Sequence, residues 1–260
     1  MRRFLIDLKK YFPYVRYAAK ASLKGELDGT RLGWIWWILE PVMSMLIYMF
    51  VFTVVFQRTT EFLVAFIFIG ISIWRFFNGT IQSCVPLIKR SRNIIGKVYL
   101  PKFALVMIKM VTNGVKLGFS FIIVVGLMVY YQIVPTLMVL QIIPVMVVLF
   151  AVTFGFSLLV MHIGVYFEDL ANFIRPAFQL WFYASGVFYP IQDAMGEVVA
   201  VQLVWLNPVA LLLNEARNVL LYGNPCNWGA LGLWMVLGVL VTAGSLFLIY
   251  QSENEYVKLV

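Results

Sequence analysis

The chain has 260 residues, of which 62% are hydrophobic and 12% charged, with twenty Lys and Arg against twelve Asp and Glu. A soluble domain of this length cannot hide so much apolar surface, because buried area grows slowly with mass, so lipid must cover the remainder. The cations cluster beside apolar runs, as topology signals and anionic-lipid contacts do, which argues against nucleic acid as a partner. The runs are continuous and near twenty residues or longer, the length of membrane-crossing helices rather than of the alternating strands of a barrel.

Residues 1–31 read as a helix lying in the membrane interface. Phe4, Leu8, Tyr11, Phe12, Val15, Ala19 and Leu23 fall on one arc at about 100° per residue. Arg2, Lys9, Arg16, Lys20 and Lys24 fall on the opposite arc, the pattern of a basic amphipathic helix in the headgroup plane. Pro13 is expected to divide this helix in two. No short apolar core with a small-residue cleavage site is present, so the segment does not read as a signal peptide.

Spans are expected over 34–56, 62–85, 103–131, 136–166, 173–189 and 228–250. A basic loop, 86–102, separates the second and third spans. The third run is about 44 Å long at 1.5 Å per residue, more than a hydrocarbon core of about 30 Å, so its first turns should stand outside the bilayer. Pro144 predicts a kink in the fourth span, and 190–227, with Asp193, Glu197, Asn207, Glu215 and Arg217 among apolar residues, predicts short helices at the outer face. The expected fold is all-α integral membrane, with six transmembrane helices, an N-terminal interfacial helix and a single domain over 1–260.

Lys and Arg set the orientation. Eight lie at or before Arg31 and five in the second loop, joined by Arg175 and Lys258, whereas the opposite face carries Arg58 and Arg217. The excess of inside cations places both termini in the cytosol. Cys84 and Cys226 then fall on opposite sides, so no disulfide is expected, and His162 has no Cys or His neighbour in sequence with which to share a metal.

No chemistry of catalysis is written in the chain. Gly96-Lys97 is followed by Val98 and lacks the glycine spacing of a phosphate loop, and no Ser, His and Asp arrangement suits a nucleophile. The chain therefore reads as a transporter subunit rather than an enzyme. Its energy must come from another subunit or an ion gradient. Lys102, Lys109, Asn113 and Lys116 share one helical face, and Arg75 and Glu40 are further ionisable groups inside spans, where a charge faces protein or water. The face reads either as a cationic stripe toward an aqueous path or phosphate-bearing head group, or as lysines snorkelling from protruding turns. Aromatic residues make up 17% of the chain and sit in clusters, around Trp34, Trp36 and Trp37, around Trp74 and Phe77, and around Trp181 to Tyr183. They suit a belt at the lipid interface, and also the lining of a path for sugar rings.

Arg31-Leu32-Gly33-Trp34, with Trp37, Leu39 and Pro41, resembles the entry to the first span of the ABC polysaccharide exporter permeases, the family that exports O-antigen, teichoic acid and capsule. The run from Ser91 to Pro101 resembles that family's loop between spans two and three. Phe167-Glu168-Asp169-Leu170 is similar to its Phe-Arg-Asp-Leu element, with Glu168 where arginine is usual. Tyr189-Pro190, Leu206-Asn207-Pro208 and Arg217 resemble its outer-face region. The resemblance implies a homodimer in the bacterial plasma (inner) membrane with two ATP-binding cassette subunits. Those partners bind ATP and Mg, and a polysaccharide on an undecaprenyl-type lipid is moved; this chain itself holds no cofactor.

Within that frame, Arg31, Trp34, Trp37, Tyr48, Trp74, Phe77, Tyr183 and Lys116 are the expected path residues, Arg31 at the mouth and the aromatics stacking on sugar. Ser91, Asn93, Ile94, Ile95, Lys97 and Tyr99, with Glu168 and Asp169, are expected to meet the ATPase subunit, because the loop is basic and offers apolar anchors. Two other readings stay open: a permease for a small lipid, drug or haem, and an ion-coupled carrier without an ATPase.

Overall fold

The computed structural model describes residues 2–28, 31–55, 62–97, 99–167, 169–191, 196–253 and 255–256. It is built of helices, with no strand among the described residues. In chain order they are α1 (Arg2–Leu27), α2 (Ile35–Phe50, continued by a π turn at Val51–Val55), α3 (Leu63–Cys84), α4 (Leu87–Arg90), α5 (Arg92–Ile95), α6 (Lys102–Tyr130), α7 (Ile142–Tyr166), α8 (Leu170–Ala184), α9 (Glu197–Leu206), α10 (Pro208–Arg217) and α11 (Trp228–Gln251). Among the described residues, five segments are long and apolar enough to cross a membrane: Ile35–Val54, Leu63–Cys84, Lys102–Tyr130, Leu137–Tyr166 and Trp228–Gln251. They coincide with five of the six expected spans. The segment expected at 173–189 is instead α8, whose 15 residues reach about 22 Å, short of a hydrocarbon core.

α3 is the hub. Burial covers 78% of its apolar window, against 11–28% in the other four, which leaves those helices with broad apolar faces outward. A helix apolar on all sides and enclosed by others reads as the centre of a bundle; one exposing Ile122, Val125 and Val129, as α6 does, needs lipid.

α7 and α11 form the most extensive pair and run parallel. Before their first turns, Gln141 Oε1 accepts from the backbone N–H of Cys226 at 2.8 Å. Midway, Gly155 faces Gly238 and Thr242; near the end of α7 and just past that of α11, His162 meets Tyr256. A Cβ on Gly155 would fall 3.0 Å from the Gly238 carbonyl, so glycine here is what lets two backbones approach. Because the pair is parallel, the chain between them, 167–227, has to return to the end where α7 began. α8 makes most of that return.

The N-terminal helix is continuous through Pro13, contrary to the expected break. Pro13 is exposed, so the Lys9 carbonyl it leaves without a helical donor faces outward, where another donor can reach it. Phe4, Leu8, Tyr11 and Val15 pack onto the core, as the arc predicted, while Phe12 is exposed. Phe4 meets Phe103 near the start of α6, and Glu26 meets Lys116 thirteen residues further along it. α1 thus climbs obliquely along α6. Trp34 and Trp37 contact Phe119, so α2 starts level with the middle of α6 and the first turns of α6 project beyond it. Pro144 lies in the first turn of α7, directly after a 3-10 turn at Leu137–Gln141, and there it marks a change of helix type.

α10 is short yet buried along nearly its whole length. The Asn-Pro pair starts it: Asn207 Oδ1 accepts from the N–H groups of Val209 and Ala210, and Pro208 occupies the first turn, where its missing donor costs nothing. The same oxygen accepts from Trp181 Nε1 at 2.9 Å, and Asn207 Nδ2 donates to Ser185 Oγ at 3.0 Å, fastening α10 to the end of α8.

Candidate functional site: a charged groove and an aromatic seam

Two adjoining cavities of about 370 and 540 Å³ share Glu40, Arg75, Asn113 and Lys116 and form one groove between α2, α3, α6 and α8. Arg75 Nη2 donates to Glu40 Oε1 at 2.9 Å and to Ser44 Oγ at 3.4 Å. Lys116 Nζ lies 2.6 Å from Glu26 Oε2, brought in by the C-terminal end of α1. Asn113 Nδ2 donates to Thr80 Oγ1 at 3.0 Å, which orients its amide at the groove wall. Arg175 enters from α8. Glu40, Arg75 and Lys116, charged side chains of three crossing helices, are thus gathered into a single furrow, as the cost of charge in lipid requires. Of the expected cationic face, Lys116 reaches this furrow, while Lys102 folds back to the Leu100 carbonyl at 3.3 Å.

Beside the groove runs a seam of rings. Phe77 meets Phe178 at 6.0 Å, Phe178 meets Trp74 at 6.0 Å, and Trp74 meets Phe182 at 5.3 Å. Phe182 meets Tyr48 at 5.9 Å, Tyr48 stacks on Phe188 at 5.0 Å, and Tyr183 joins through Phe182 at 5.4 Å. Of the six aromatics expected in the path, Tyr48, Trp74, Phe77 and Tyr183 therefore belong to one array. Their exposure differs: Phe77 is fully enclosed, Trp74 shows 6% of its surface at the groove, and Tyr183 is 49% exposed. Trp34 is exposed beside Phe119, Trp37 lines the groove mouth, and Arg31 is exposed just before α2.

A third cluster gathers at the end where α1 begins and α11 ends. Arg3 Nη2 donates to the Tyr99 hydroxyl at 2.7 Å and to Glu253 Oε2 at 2.9 Å. Tyr250 donates to Asp7 at 3.2 Å, Tyr166 donates to Glu255 Oε2 at 2.8 Å, and the Tyr256 hydroxyl lies 2.5 Å from His162 Nδ1. Burial, with the Glu253 carboxylate beside it, raises the Tyr99 phenol above its ordinary range, and burial raises Tyr256 likewise. A cavity of about 300 Å³ lies under the basic loop, lined by Arg92, Asn93, Ile95, Lys97 and Tyr256. Asn93 and Lys97 are exposed, Ser91 is half-buried, and Ile95 packs against the core. Of Ile94 only the backbone, in α5, is described, and Glu168 lies outside the described residues. Asp169 opens α8, its carbonyl accepting from the N–H groups of Asn172 and Phe173.

At the opposite end, Arg217 is buried, with no carboxylate paired to it among the described residues. Its guanidinium donates to the carbonyls of Phe66 (3.2 Å), Gly186 (2.8 Å) and Val187, and lies 3.4 Å over the Phe66 ring. A Cβ on Gly70 would collide with that guanidinium and with the Val187 carbonyl. Glu215, also buried, accepts from the Asn227 N–H at 2.9 Å. Burial and Glu215 push the Cys226 thiol up to about 11. Among the described residues no cluster of His, Cys, Asp and Glu could hold a metal.

The groove partners Glu26, Ser44, Asn113 and Arg175 were not selected as site residues from sequence. In sequence Arg175 counts only among the cytosolic cations and Glu26 falls in the expected interfacial helix, and no local pattern shows that α1 returns to the middle of α6.

A family profile described as ABC-2 type transporter matches residues 15–221. The chain is 27% identical over 219 residues, 84% of each chain, to a protein of Myxococcus xanthus named O-antigen export system permease protein RfbA. It is 20% identical over 247 residues, 92% of each chain, to a protein of the same name from Klebsiella pneumoniae.

Proposed function

The chain belongs to the ABC-2 type transporter family, and from that premise we propose that it is the membrane permease of an ATP-driven exporter of lipid-linked polysaccharide, of O-antigen, teichoic-acid or capsule type. The observation that carries this reading is similarity along 84–92% of the chain to permeases named for O-antigen export. ATP hydrolysis belongs to a separate subunit. Two such subunits, which bind the nucleotide and Mg, pair with two copies of this chain.

In this reading the chain is one transmembrane domain in the bacterial plasma (inner) membrane and crosses six times. α8 supplies the sixth crossing, because parallel α7 and α11 need a return, and it is completed near the outer face by 185–191. Both termini are cytosolic, as is the basic loop beside them. Sugar passes along the ring seam, contacting Tyr48, Trp74 and Tyr183, with Phe77 behind them as support. Trp34, Trp37, Arg31 and Lys116 stand at the entrance. Stacking suits a polymer in transit, because each contact is modest and tolerant of register, so the polymer slides without a deep trap. The segment Ser91, Asn93, Ile94, Ile95, Lys97 and Tyr99, together with Glu168 and Asp169, docks the ATPase subunit.

Co-purification from the native membrane, followed by an export assay in a strain lacking the gene, tests the reading. An ATP-binding subunit should co-purify, and surface polysaccharide should vanish on deletion and return on complementation. Unchanged surface polysaccharide in the deletion strain would overturn it. Within the path, Trp74→Leu and Tyr183→Leu should lose export at normal expression, and full export by both would remove the stacking seam from the proposal.

A further inference from the structure

Three cations, Arg75, Lys116 and Arg175, line a groove that holds two carboxylates, Glu26 and Glu40. The partners are unequal. Arg75 is 35% exposed where Glu40 is 68%, and Lys116 is 30% exposed where Glu26 is 38%. In each pair the cation is the more enclosed member and the acid the more exposed. An exposed acid swings away at little cost, because a partly solvated ion pair contributes little net stability.

The groove also has an orientation. It begins level with Trp34, Trp36 and Trp37, at the depth where indoles sit at a membrane interface. The wall made by α2 is the least enclosed of the five long helices, with Trp36, Met43 and Ile47 exposed along it. An occupant could therefore keep an anionic head among the cations while an apolar tail leaves across α2 into lipid.

We propose that Arg75, Lys116 and Arg175 form the binding site for a phosphoanionic lipid headgroup, with Glu40 and Glu26 as built-in competitors that the headgroup displaces. The inference rests on the exporter reading for its setting and adds a site and a mechanism of occupancy. A phosphate or diphosphate accepts charge-assisted hydrogen bonds from guanidinium and ammonium groups in the way the two carboxylates now do. Displacement returns both acids to water while the cations stay paired. In the empty state Arg75 and Lys116 thus stay paired.

The competitor arrangement predicts opposite signs for the two halves of one ion pair. Purified permease with its ATPase subunit, in nanodiscs of neutral lipid, is titrated with farnesyl diphosphate while groove tryptophan fluorescence is followed. Arg75→Gln should weaken binding about tenfold, whereas Glu40→Gln should tighten it several-fold; Lys116→Gln and Glu26→Gln should behave in the same way. Farnesol should not compete. Inorganic pyrophosphate should compete weakly, which separates a lipid headgroup from a free anion, and phosphatidic acid should compete only as far as a single phosphate suffices. Arg75→Lys, which keeps the charge, should bind within a few-fold of the parent and guards against misfolding. If Glu40→Gln weakens binding as much as Arg75→Gln, the pair is structural and the proposal falls. Equal competition by farnesol would sink it too. Either failure leaves ATPase co-purification and export untouched, so it is distinguishable from failure of the exporter reading.

Discussion

The guanidinium of Arg217 lies 3.4 Å over the ring of Phe66 and donates Nε to the carbonyl of the same residue at 3.2 Å. One side chain from α10 thus grips the central helix α3, and its other two donors hold the Gly186 and Val187 carbonyls in the turn after α8. Desolvating a guanidinium is costly, so three carbonyls and an aromatic face are needed to offset it.

Replacing Arg217 by Met fills the volume but leaves the buried Gly186 and Val187 carbonyls without these donors, at about 1–3 kcal/mol each. Arg217→Met should therefore destabilise by about 3 kcal/mol, and Arg217→Lys, with its charge kept and its fork lost, by somewhat less. Thermal unfolding in detergent measures both. An unchanged Tm for Arg217→Met would show that the turn is held by something else.

Gly155 presents a simpler case. Its added Cβ would meet the Gly238 carbonyl and Thr242 Oγ1, each at 3.0 Å. Gly155→Ala should force α7 and α11 apart by a few tenths of an ångström, and Gly155→Leu should cost about 1–3 kcal/mol through overpacking. The ordering parent, Ala, Leu in Tm checks it. An Ala variant more stable than the parent would mean that the helices are not packed so closely.

Topology can be read with thiol reagents, but Cys226 is a poor reporter. It is buried, and its thiol is pushed up to about 11, so at pH 7.5 almost none is the reactive thiolate. Since the ionised form is disfavoured, reactivity should rise only as pH approaches that value. Exposed Asn224, replaced by Cys, should label from outside intact cells, and Arg92→Cys should label only after permeabilisation. Outside labelling at position 92 would reverse the orientation.

The reasons for success and failure in reading the chain are physical. Five of the six expected spans keep a high mean hydropathy over twenty or more residues despite single charges such as Glu40, Arg75 and Lys116, which hydropathy resolves without knowledge of contacts. α8 does not stand out in this way, because Arg175, Pro176 and Gln179 interrupt it and its far end turns at Ser185, held by Asn207. The amphipathic arc of α1 identified its inward face, since 3.6-residue periodicity is local. That Glu26 would reach Lys116 depends on the angle at which α1 crosses α6, which no local pattern encodes. Tyr48, Trp74, Phe77 and Tyr183 fell into one seam because Phe178 and Phe182, one turn apart on α8, bridge the rings of α3 to Tyr48 on α2. Which of them is enclosed, as Phe77 is, follows from the packing of Phe178 and Trp181 over it.

The last prediction concerns the end where α1 begins and α11 ends. Arg3 of α1 pairs with Glu253 of the C-terminal tail at 2.9 Å and also binds Tyr99 in the basic loop. The three segments are distant in sequence, and Tyr256, buried against His162, locks the tail beneath that loop. If the loop docks the ATPase, this cluster transmits its movement to α6 and α11. Arg3→Glu should lower coupling of ATP hydrolysis to export, as should Glu253→Arg. The double exchange should restore much of it, since the pair is regenerated in reverse. The pair is half-exposed, so its coupling free energy in a double-mutant cycle should be about 0.5–1 kcal/mol rather than the larger value of an enclosed pair. Tyr256→Phe, which keeps the packing and removes the hydroxyl opposite His162, should leave folding intact while reducing ATPase activity in the assembled complex. Additive losses in the cycle would mean that Arg3 and Glu253 act separately, and the loop would then be moved by its own contacts alone.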